Sequence, residues 1–281
     1  MSETWSVLRL LRWTADFFRQ HGIESHRLDA ELLLAHVLAC KRVDLYLAFD
    51  QPVASADRER FRELVRRRAK ERVPVAYLTG VREFWSLPLY VTPDVLIPRP
   101  DTETLVRACA ALAPRRALDV GTGSGCVAIA LARELPDLTL IGVDTSQAAL
   151  EVAARNAAAA GVEARLELVR ADLLEGLGAD FDLIASNPPY VPSGELERLA
   201  PELQHEPRLA LDGGPDGLDV LRRLIAQAPA HLQPGGQLAL EVGDGQAAAV
   251  CELVRAAGAS TLELQRDLGG AERVVVARFG A

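Results

Sequence analysis

The chain has 281 residues, 49% of them hydrophobic and 25% charged, and its formal net charge is −8. This length predicts one large domain plus a small one, and the composition predicts an ordinary globular protein. The negative charge argues against a dedicated binder of duplex DNA, which needs an excess of Lys and Arg to neutralise phosphates. No apolar run approaches the ~20 residues of a membrane helix, and the N-terminal stretch lacks the pattern of a signal peptide. We therefore expect a cytoplasmic protein with no membrane association.

The cysteines are far apart in the sequence, at Cys40, Cys109, Cys126 and Cys251. Their spacing matches no pattern of metal ligands, so we expect no metal site. We expect free, buried thiols, which are usual in the reducing cytosol.

Residues 1–73 show helical patterns only, and we predict that they form a small all-α N-terminal domain. In the first helix, apolar residues recur at spacings of three and four, and Thr4 precedes it as a candidate cap. Ser25 and Ser55 are candidate caps of a second and a third helix, and Pro74 closes the third.

The third predicted helix is locally basic, although the whole protein is acidic. From Asp57 to Arg72 it has eight basic and four acidic residues. This charge can belong to a solvated helix face, or it can form a docking face for a partner. The sequence leaves both interpretations open.

Residues 74–98 have a different pattern from the helical residues before them, because aromatic and β-branched residues alternate there. We predict a β-hairpin linker with its turn at Pro88. The segment IPRPDTETL follows, in which Asp101 or Thr102 can start a helix that ends near Leu112.

From Arg116 onward, apolar strands alternate with helical segments, which predicts a mostly parallel sheet with helices on both faces. The seven predicted strands are ALDVG, LTLIGVD, ARLELVRAD, FDLIASN, GQLALEV, TLELQRD and ERVVVARF. The short connection between the last two strands requires an antiparallel pair at the end of the sheet. We predict that residues 99–281 form an α/β, Rossmann-like domain whose last strand is antiparallel.

A glycine-rich turn, LDVGTGSG, connects the first strand of this domain to a helix. Gly121, Gly123 and Gly125 let the backbone pass close to a ligand, and the helix N-terminus directs amide groups toward it. A dinucleotide fingerprint needs a third glycine where the chain has Cys126, so that pattern fails. Asp144 ends the next strand, where it can accept hydrogen bonds from ribose hydroxyls or cap the following helix. We predict a cofactor site here, although a merely tight turn also uses glycine.

The motif SNPPY ends the fourth strand of the domain, so it faces the same crevice as the glycine-rich turn. Asn187 offers a side-chain carbonyl, and the rings of Pro188 and Pro189 hold the Pro188 carbonyl in place. Two such acceptors can bind both N–H groups of a planar amide or amino group, and Tyr190 can stack on it. Positioning then carries most of the catalysis. The alternative is a rigid corner with no chemistry.

LDVGTGSG together with Asp144 resembles the cofactor-binding region of S-adenosylmethionine-dependent methyltransferases of the seven-stranded fold. NPPY resembles the motif of methyltransferases that act on exocyclic amino or amide nitrogens of adenine, guanine or glutamine. IPRPDTETL (residues 97–105) and EPRLALDGGPDGL (residues 206–218) resemble the HemK-type family, the peptide chain release factor glutamine methyltransferases.

This resemblance implies methylation of the glutamine side chain in a Gly-Gly-Gln tripeptide of bacterial release factors. Asn187 and the Pro188 carbonyl would bind the amide, and Tyr190 would flank it. S-adenosyl-L-methionine, which leaves as S-adenosyl-L-homocysteine, would be held by Gly121, Thr122, Gly123, Ser124, Gly125, Asp144, Leu173 and Asn187. Some members carry an aromatic residue where this chain has Leu173.

The resemblance also implies that the N-terminal domain docks the release factor, and we expect a monomer that binds no nucleic acid directly. A first alternative is an amino-methyltransferase acting on adenine or guanine of nucleic acid. A dinucleotide-dependent oxidoreductase and a non-catalytic adaptor are the others.

Overall fold

The structure, a computed structural model, describes residues 5–280, which fall into two compact units. The first unit contains the chain up to Gly80 together with Ala200–His205, and the second contains Val81–Leu199 and the chain from Glu206 onward. The observed division therefore lies after Gly80, and the hairpin belongs to the second unit. The division into residues 1–73, 74–98 and 99–281 stays a prediction.

The first unit is built from helices. They are α1 (Val7–Gln20), α2 (His26–Val37), α3 (Arg42–Leu47), α4 (Ser55–Lys70) and α5 (Val75–Thr79). Their apolar faces enclose one core, in which Phe18, Leu33, Leu34 and Phe61 are almost fully buried. Such shared burial, rather than intrinsic propensity, supplies most of the stability of short helices.

The predicted helix caps have different outcomes. Ser25 is the cap residue of α2, but its side chain makes no capping hydrogen bond. Ser55 is the first residue of α4 rather than its cap, so this prediction is wrong. Thr4 lies outside the described residues, and the cap of α1 is Ser6, whose hydroxyl accepts a hydrogen bond from the Arg9 amide. The predicted third helix, α4, ends at Lys70, before Pro74.

The second unit begins with an antiparallel hairpin of β1 (Val81–Phe84) and β2 (Leu87–Tyr90). The prediction of a turn at Pro88 is wrong, because Pro88 lies within β2 opposite Glu83. The turn is formed by Trp85 and Ser86, whose φ angles of 52° and 58° are left-handed. Two such residues are typical of a two-residue hairpin turn that matches the twist of its strands. Glycine or asparagine usually marks this turn, so the sequence gives no local signal for it.

The rest of the second unit is a seven-stranded sheet with the order β5-β4-β3-β6-β7-β9-β8. The strands are β3 (Arg116–Val120), β4 (Thr139–Asp144), β5 (Leu166–Arg170), β6 (Phe181–Ser186), β7 (Leu232–Glu241), β8 (Ala259–Arg266) and β9 (Glu272–Phe279). The helices are α6 (Glu103–Ala111), α7 (Cys126–Glu134), α8 (Gln147–Ala160), α9 (Asp219–Gln227) and α10 (Ala247–Ala256). The neighbours of β9 are both antiparallel to it, so the predicted α/β fold with an antiparallel last strand is confirmed.

The register places the carboxyl ends of the parallel strands at one edge of the sheet. Val120 pairs with Val143 of β4 and with Ser186 of β6, and Ser186 pairs with Leu240 of β7. The segments that follow these four strands therefore share one edge, where α/β proteins bind ligands. Two apolar clusters cover the opposite faces of the sheet. Within residues 5–280, none of the helices is both long and apolar enough to span a membrane.

Candidate active site

A cavity of about 230 Å³ opens at the carboxyl edge of the sheet. Six of the residues predicted to act at the site line it: Gly121, Gly123, Asp144, Leu173, Asn187 and Pro189. Further lining comes from side chains such as Leu96, Ala171, Leu209 and Arg223. Across the described part of the chain, no group of three or more His, Cys, Asp and Glu side chains is arranged to hold a metal ion.

The glycine-rich turn is tied to the neighbouring strand by its own amide groups. The N–H groups of Gly121 and Thr122 donate to the Val143 carbonyl at 2.8 and 2.9 Å. The N–H of Gly123 donates to Asp144 Oδ2 at 2.9 Å. These three donors are directed at the protein, and not at a ligand as the sequence led us to expect. The turn therefore suits a cofactor without phosphate better than a dinucleotide, whose pyrophosphate needs such amides.

Thr122 and Ser124 face the protein interior rather than the cavity, because both side chains are buried. The Thr122 hydroxyl donates to Asp119 Oδ2 at 2.7 Å, and the Ala128 amide of α7 donates to the same oxygen at 3.1 Å. Asp119 thus holds the turn against the helix that follows it. Burial raises the pKa of Asp119 to about 6.

Gly125 is the cap residue of α7 and has a left-handed φ of 80°. A Cβ atom at this position would lie 2.9 Å from a methyl group of Ile129 and 3.3 Å from Ala153. Glycine is therefore needed for close packing of the helix, which is a structural role in the glycine-rich turn.

Asp144 joins the turn to the start of α8. Besides the bond from Gly123, its Oδ1 accepts a hydrogen bond from the Ser146 amide at 2.9 Å. The cap of α8 is Ser146, whose hydroxyl accepts from the Ala149 amide at 3.2 Å. Asp144 lines the cavity, and each carboxylate oxygen has a second lone pair for a ligand.

Leu173 and Ala171 form part of an apolar wall of the cavity. Leu173 has a left-handed φ of 53°, which is uncommon for a residue other than glycine. Beside it, the carboxylate of Asp172 pairs with Arg223 at 2.7 Å, and both side chains are about half exposed. An exposed pair of this kind contributes little to stability.

Asn187 follows β6 and is oriented by a residue from the IPRPDTETL segment. Its Nδ2 donates to Thr102 Oγ1 at 3.1 Å, and the side chain of Thr102, the cap residue of α6, is buried. Because the amide nitrogen is bound in this way, the carbonyl oxygen Oδ1 is available for another donor. Pro189 lines the cavity, whereas Pro188 is buried.

Tyr190 is anchored through its backbone. The Gln246 side chain donates to the Tyr190 carbonyl at 3.0 Å. A Cβ atom on Gly217 would lie 2.3 Å from that carbonyl oxygen, so only glycine fits there. The adjacent Val191 makes two backbone hydrogen bonds with the segment that contains Gly217. Its amide donates to the Leu211 carbonyl at 2.9 Å, and its carbonyl accepts from the Gly213 amide at 2.8 Å. The segment EPRLALDGGPDGL therefore holds the NPPY motif in place.

The segments IPRPDTETL and EPRLALDGGPDGL are also joined to each other. Glu206 has a buried carboxylate that accepts from the Ile97 amide at 3.1 Å and from Arg99 Nη2 at 2.5 Å. Both segments thus support the carboxyl edge of the sheet, where the NPPY motif lies.

Comparison with known proteins agrees with this arrangement. Residues 9–80 match the model of the PrmC N-terminal domain, and residues 100–214 match that of the methyltransferase small domain. A release factor glutamine methyltransferase of Geobacter sulfurreducens is 45% identical over 99% of this chain and 98% of its own length. The chain belongs to the release factor glutamine methyltransferase family. A member from Rhodopirellula baltica is 43% identical over 96% of this chain and 95% of its own length.

A solved methyltransferase from Pyrococcus furiosus shares the fold of this family member. The TM-score is 0.53 at 19% identity, and the match covers 81% of this chain and 100% of the other. At this identity the likeness concerns the fold alone.

The sequence interpretation missed two side chains at the site of this methyltransferase, Thr102 and Glu241. The sequence pattern indicates Thr102 only as a helix start, whereas its hydroxyl also accepts the hydrogen bond from Asn187. Glu241 ends β7 and is 1% exposed, and it is the next residue after Leu240, which pairs with Ser186 beside Asn187. The available signal is a charged residue between the apolar residues LAL and V of the stretch LALEV.

Proposed function

We propose that this chain transfers a methyl group from S-adenosyl-L-methionine to the side-chain amide nitrogen of glutamine in the Gly-Gly-Gln motif of a bacterial release factor. The observation that carries the proposal is the Asn187 amide. It borders the cavity, and its nitrogen is bound to Thr102, so that its carbonyl can receive a substrate N–H. The curated relatives that carry this activity in their names support the choice of substrate.

The residues around the cavity fit the cofactor. Asp144 offers carboxylate lone pairs to hydroxyl groups, and Leu173 and Ala171 offer an apolar surface to a flat ring. Gly121 and Gly123 border the cavity with no side chain, so a ligand can approach the backbone. When bound, the cofactor supplies an electrophilic methyl group on a sulfonium.

The protein's part in the reaction is to orient a weak nucleophile. The lone pair of an amide nitrogen is delocalised, so the Asn187 and Pro188 carbonyls would bind its two N–H groups and aim the lone pair at the methyl group. These hydrogen bonds strengthen as positive charge develops on nitrogen, so they stabilise the transition state more than the ground state. The methylated nitrogen then loses one of its two protons to water, which gives the neutral N-methyl amide. Tyr190 would stack on the planar amide as a neutral phenol, because burial raises its pKa to about 12.

Transfer of a labelled methyl group tests the proposal. Purified protein and radiolabelled cofactor are incubated with a release factor or with nucleic acid. We expect label on the release factor. Label on nucleic acid alone would support the amino-methyltransferase alternative, and tight cofactor binding without any turnover would support an adaptor. A change in nicotinamide fluorescence when a nicotinamide dinucleotide is added to the protein would support the oxidoreductase alternative.

We also propose that the first unit binds the release factor, and that the protein acts in the cytoplasm as a monomer. Within that unit, Arg58 and Arg62 of α4 border a groove of about 400 Å³ together with Trp5 and Trp13. Arg62 is exposed, and a positive side chain beside aromatic rings suits an acidic protein surface.

Arg62→Glu should raise KM for a whole release factor roughly 5-fold, which corresponds to about 1 kcal/mol from a single exposed charge. KM for a short glutamine peptide should stay the same. Steady-state kinetics with both substrates checks this, and Arg255→Glu on α10 is the control with the same change of charge. An equal effect on both substrates would count against docking at this groove.

A further inference from the structure

Tyr190 lies against the β7–α10 turn, the short segment of residues 243–246 that follows β7. A Cβ atom on Gly243 would lie 3.0 Å from Cδ2 of the Tyr190 ring, so the ring packs closely on the backbone at this position. From the same turn, the Gln246 side chain donates to the Tyr190 carbonyl at 3.0 Å. The ring and the carbonyl of Tyr190 are therefore both in contact with one turn.

The side-chain amide of Gln246 has a single favourable orientation. Its Oε1 accepts from the Gly243 amide at 2.9 Å, so its Nε2 faces the other way. Nε2 carries two protons, and it donates to the carbonyls of Tyr190 and Gly217 at 3.0 and 3.4 Å. An inverted amide would place an oxygen against these two carbonyls and leave the Gly243 amide without its acceptor. Gln246 therefore binds Tyr190 in one geometry.

The β7–α10 turn is itself held firmly. The Gln246 amide donates to the Gly243 carbonyl at 3.1 Å, which closes the turn. Just before it, Val242 is bound to Arg273 of β9 through both of its backbone groups. Its amide donates to the Arg273 carbonyl at 2.9 Å, and its carbonyl accepts from the Arg273 guanidinium at 3.2 Å. The helix α10 follows the turn, and its apolar side is buried in the core, so the turn is fixed at both ends.

We propose that Gln246 and Gly243 are positioning residues, which act through Tyr190 to fix its ring beside the substrate amide. This inference rests on the proposed function, in which the ring flanks the glutamine side chain. Stacking on a planar group depends on the offset and the distance between the two planes, so a small displacement of the ring weakens it. Gln246 fixes the backbone from which the ring projects, and Gly243 leaves the space that the ring occupies.

Substitutions of Gln246 in the full-length protein test its part in this arrangement. Gln246→Glu keeps the size of the side chain but places a carboxylate oxygen against the Tyr190 carbonyl, and Gln246→Leu removes the hydrogen bonds. Each should lower kcat about 10-fold, for a release factor and for a glutamine peptide alike, because the effect arises at the reacting group. Cofactor affinity, measured by calorimetry, should change less than about 3-fold.

Gln233→Leu is the matched control for Gln246→Leu. It removes a side-chain hydrogen bond to Asp182 at the amino ends of β6 and β7, on the opposite edge of the sheet from the site. This control should leave kcat unchanged. If both Gln246 variants kept the kcat of the wild type, or lowered it no more than Gln233→Leu does, the positioning role of Gln246 would be overturned.

Gly243→Ala tests the contact with the ring. Gly243 does not have a left-handed φ, so its backbone accepts alanine. The added Cβ would lie 3.0 Å from the Tyr190 ring and 2.8 Å from Gln246 Oε1, so both would have to move. We expect kcat to fall about 3-fold or more. Gly178→Ala is the matched control, because its Cβ would have only an ordinary contact of 4.0 Å with Arg116.

A double-mutant cycle separates positioning from a structural role. Tyr190→Ala removes the ring and should lower kcat about 10-fold, the loss of one stacking contact. In that background, Gln246→Leu and Gly243→Ala should lower kcat less than about 2-fold further, because no ring is left to position. Substitutions that only weaken the fold would lower kcat by the same factor in both backgrounds, and that outcome would overturn the proposal.

A measurement without substrate distinguishes this proposal from the proposed function. The chain has four tyrosines, so fluorotyrosine labelling gives few fluorine NMR signals, and Tyr190→Phe assigns one of them. The Tyr190 signal should shift in Gln246→Leu and Gly243→Ala and stay in place in the two control variants. If it does so but release factor is not methylated, the proposed function fails while the support of Tyr190 stands. If release factor is methylated and kcat is unchanged in both variants, the positioning role is refuted.

Discussion

Asn187 depends on residues from other segments of the chain for its orientation. Its amide nitrogen is bound to Thr102, and the following backbone is held at Tyr190 by Gln246. The rings of Pro188 and Pro189 remove two backbone donors and fix two φ angles between these anchor points. A side chain held in this way is suited to orient a substrate, because little motion has to be restricted when the substrate binds.

The substitution Asn187→Ala tests this residue. It deletes one of the two acceptors that we propose for the substrate N–H groups, and loss of such a preorganised contact should lower kcat by about 10²–10³-fold. Cofactor binding should weaken less than about 10-fold, since other residues line most of the cavity. Single-turnover kinetics and equilibrium binding measure the two effects separately. Near-normal turnover in this variant would refute the role assigned to Asn187.

At the scale of elements, the basic residues of α4 do not all have the same role. Arg68, in the middle of its basic run, is buried and binds Asp29 at 2.6 Å and Glu202 at 2.8 Å within the first unit. Arg66 pairs with Glu63 at 2.7 Å. Arg68 therefore cannot belong to a docking face, because its guanidinium lies in the interior of the unit. Whether the exposed basic residues of α4 dock a partner stays a prediction.

Arg68→Ala should destabilise the first unit by about 3–5 kcal/mol, since it leaves the buried Asp29 carboxylate without its cation. Arg67→Ala, on the same helix but partly exposed, should change stability by about 0.5 kcal/mol or less. In a Trp85→Phe background, the fluorescence of Trp5 and Trp13 reports on the first unit during urea denaturation. Equal midpoints for the two alanine variants would contradict this account of α4.

Most elements of the second unit could be predicted, because their apolar runs are long and strand–helix alternation admits few topologies. The helices that the sequence pattern does not indicate belong to the first unit. They are α3 (Arg42–Leu47) and α5 (Val75–Thr79), which have too few residues for a periodic pattern. The hairpin turn was misplaced because proline is a strong turn signal, whereas Trp85 and Ser86 are not.

The site was predictable to the extent that it follows from local sequence. The carboxyl-edge rule places the residues after β3, β4 and β6 together, and the structure brings Gly121, Asp144 and Asn187 to one cavity. Thr102 could not be found in this way, since it is 85 positions from Asn187 in the sequence. Thr122 is predicted at the cofactor site, but its side chain faces the protein interior. A sequence motif does not show which of its side chains face the ligand.

For the whole molecule, two buried acids make stability depend on pH. Burial raises the pKa of Asp119 to about 6 and that of Glu241 to about 7. A raised pKa means that the folded state binds more protons than the unfolded state between the two values. The stability contributed by these groups is therefore present below their unfolded pKa values and is lost as pH rises to about 7.

Glu241→Gln should be more stable than the wild type at pH 8, by about 3 kcal/mol at most, because it removes the cost of ionising a buried carboxylate. The difference should shrink as pH falls from about 7 and vanish below the ordinary pKa of glutamate, about 4, where Glu241 is protonated in both states. Chemical denaturation of both proteins at several pH values measures it. A difference in unfolding free energy that does not vary with pH, or a less stable variant at pH 8, would show that ionisation of Glu241 does not destabilise the folded protein.

The central claim is that this methyltransferase modifies a glutamine amide of a release factor at a site organised by Asn187. Mass spectrometry of a release factor after reaction with the protein and S-adenosyl-L-methionine tests it most directly. We predict one added methyl group on the glutamine of the Gly-Gly-Gln motif, and a strongly reduced yield with Asn187→Ala. A methyl group on another residue, or an unchanged yield with Asn187→Ala, would contradict the account.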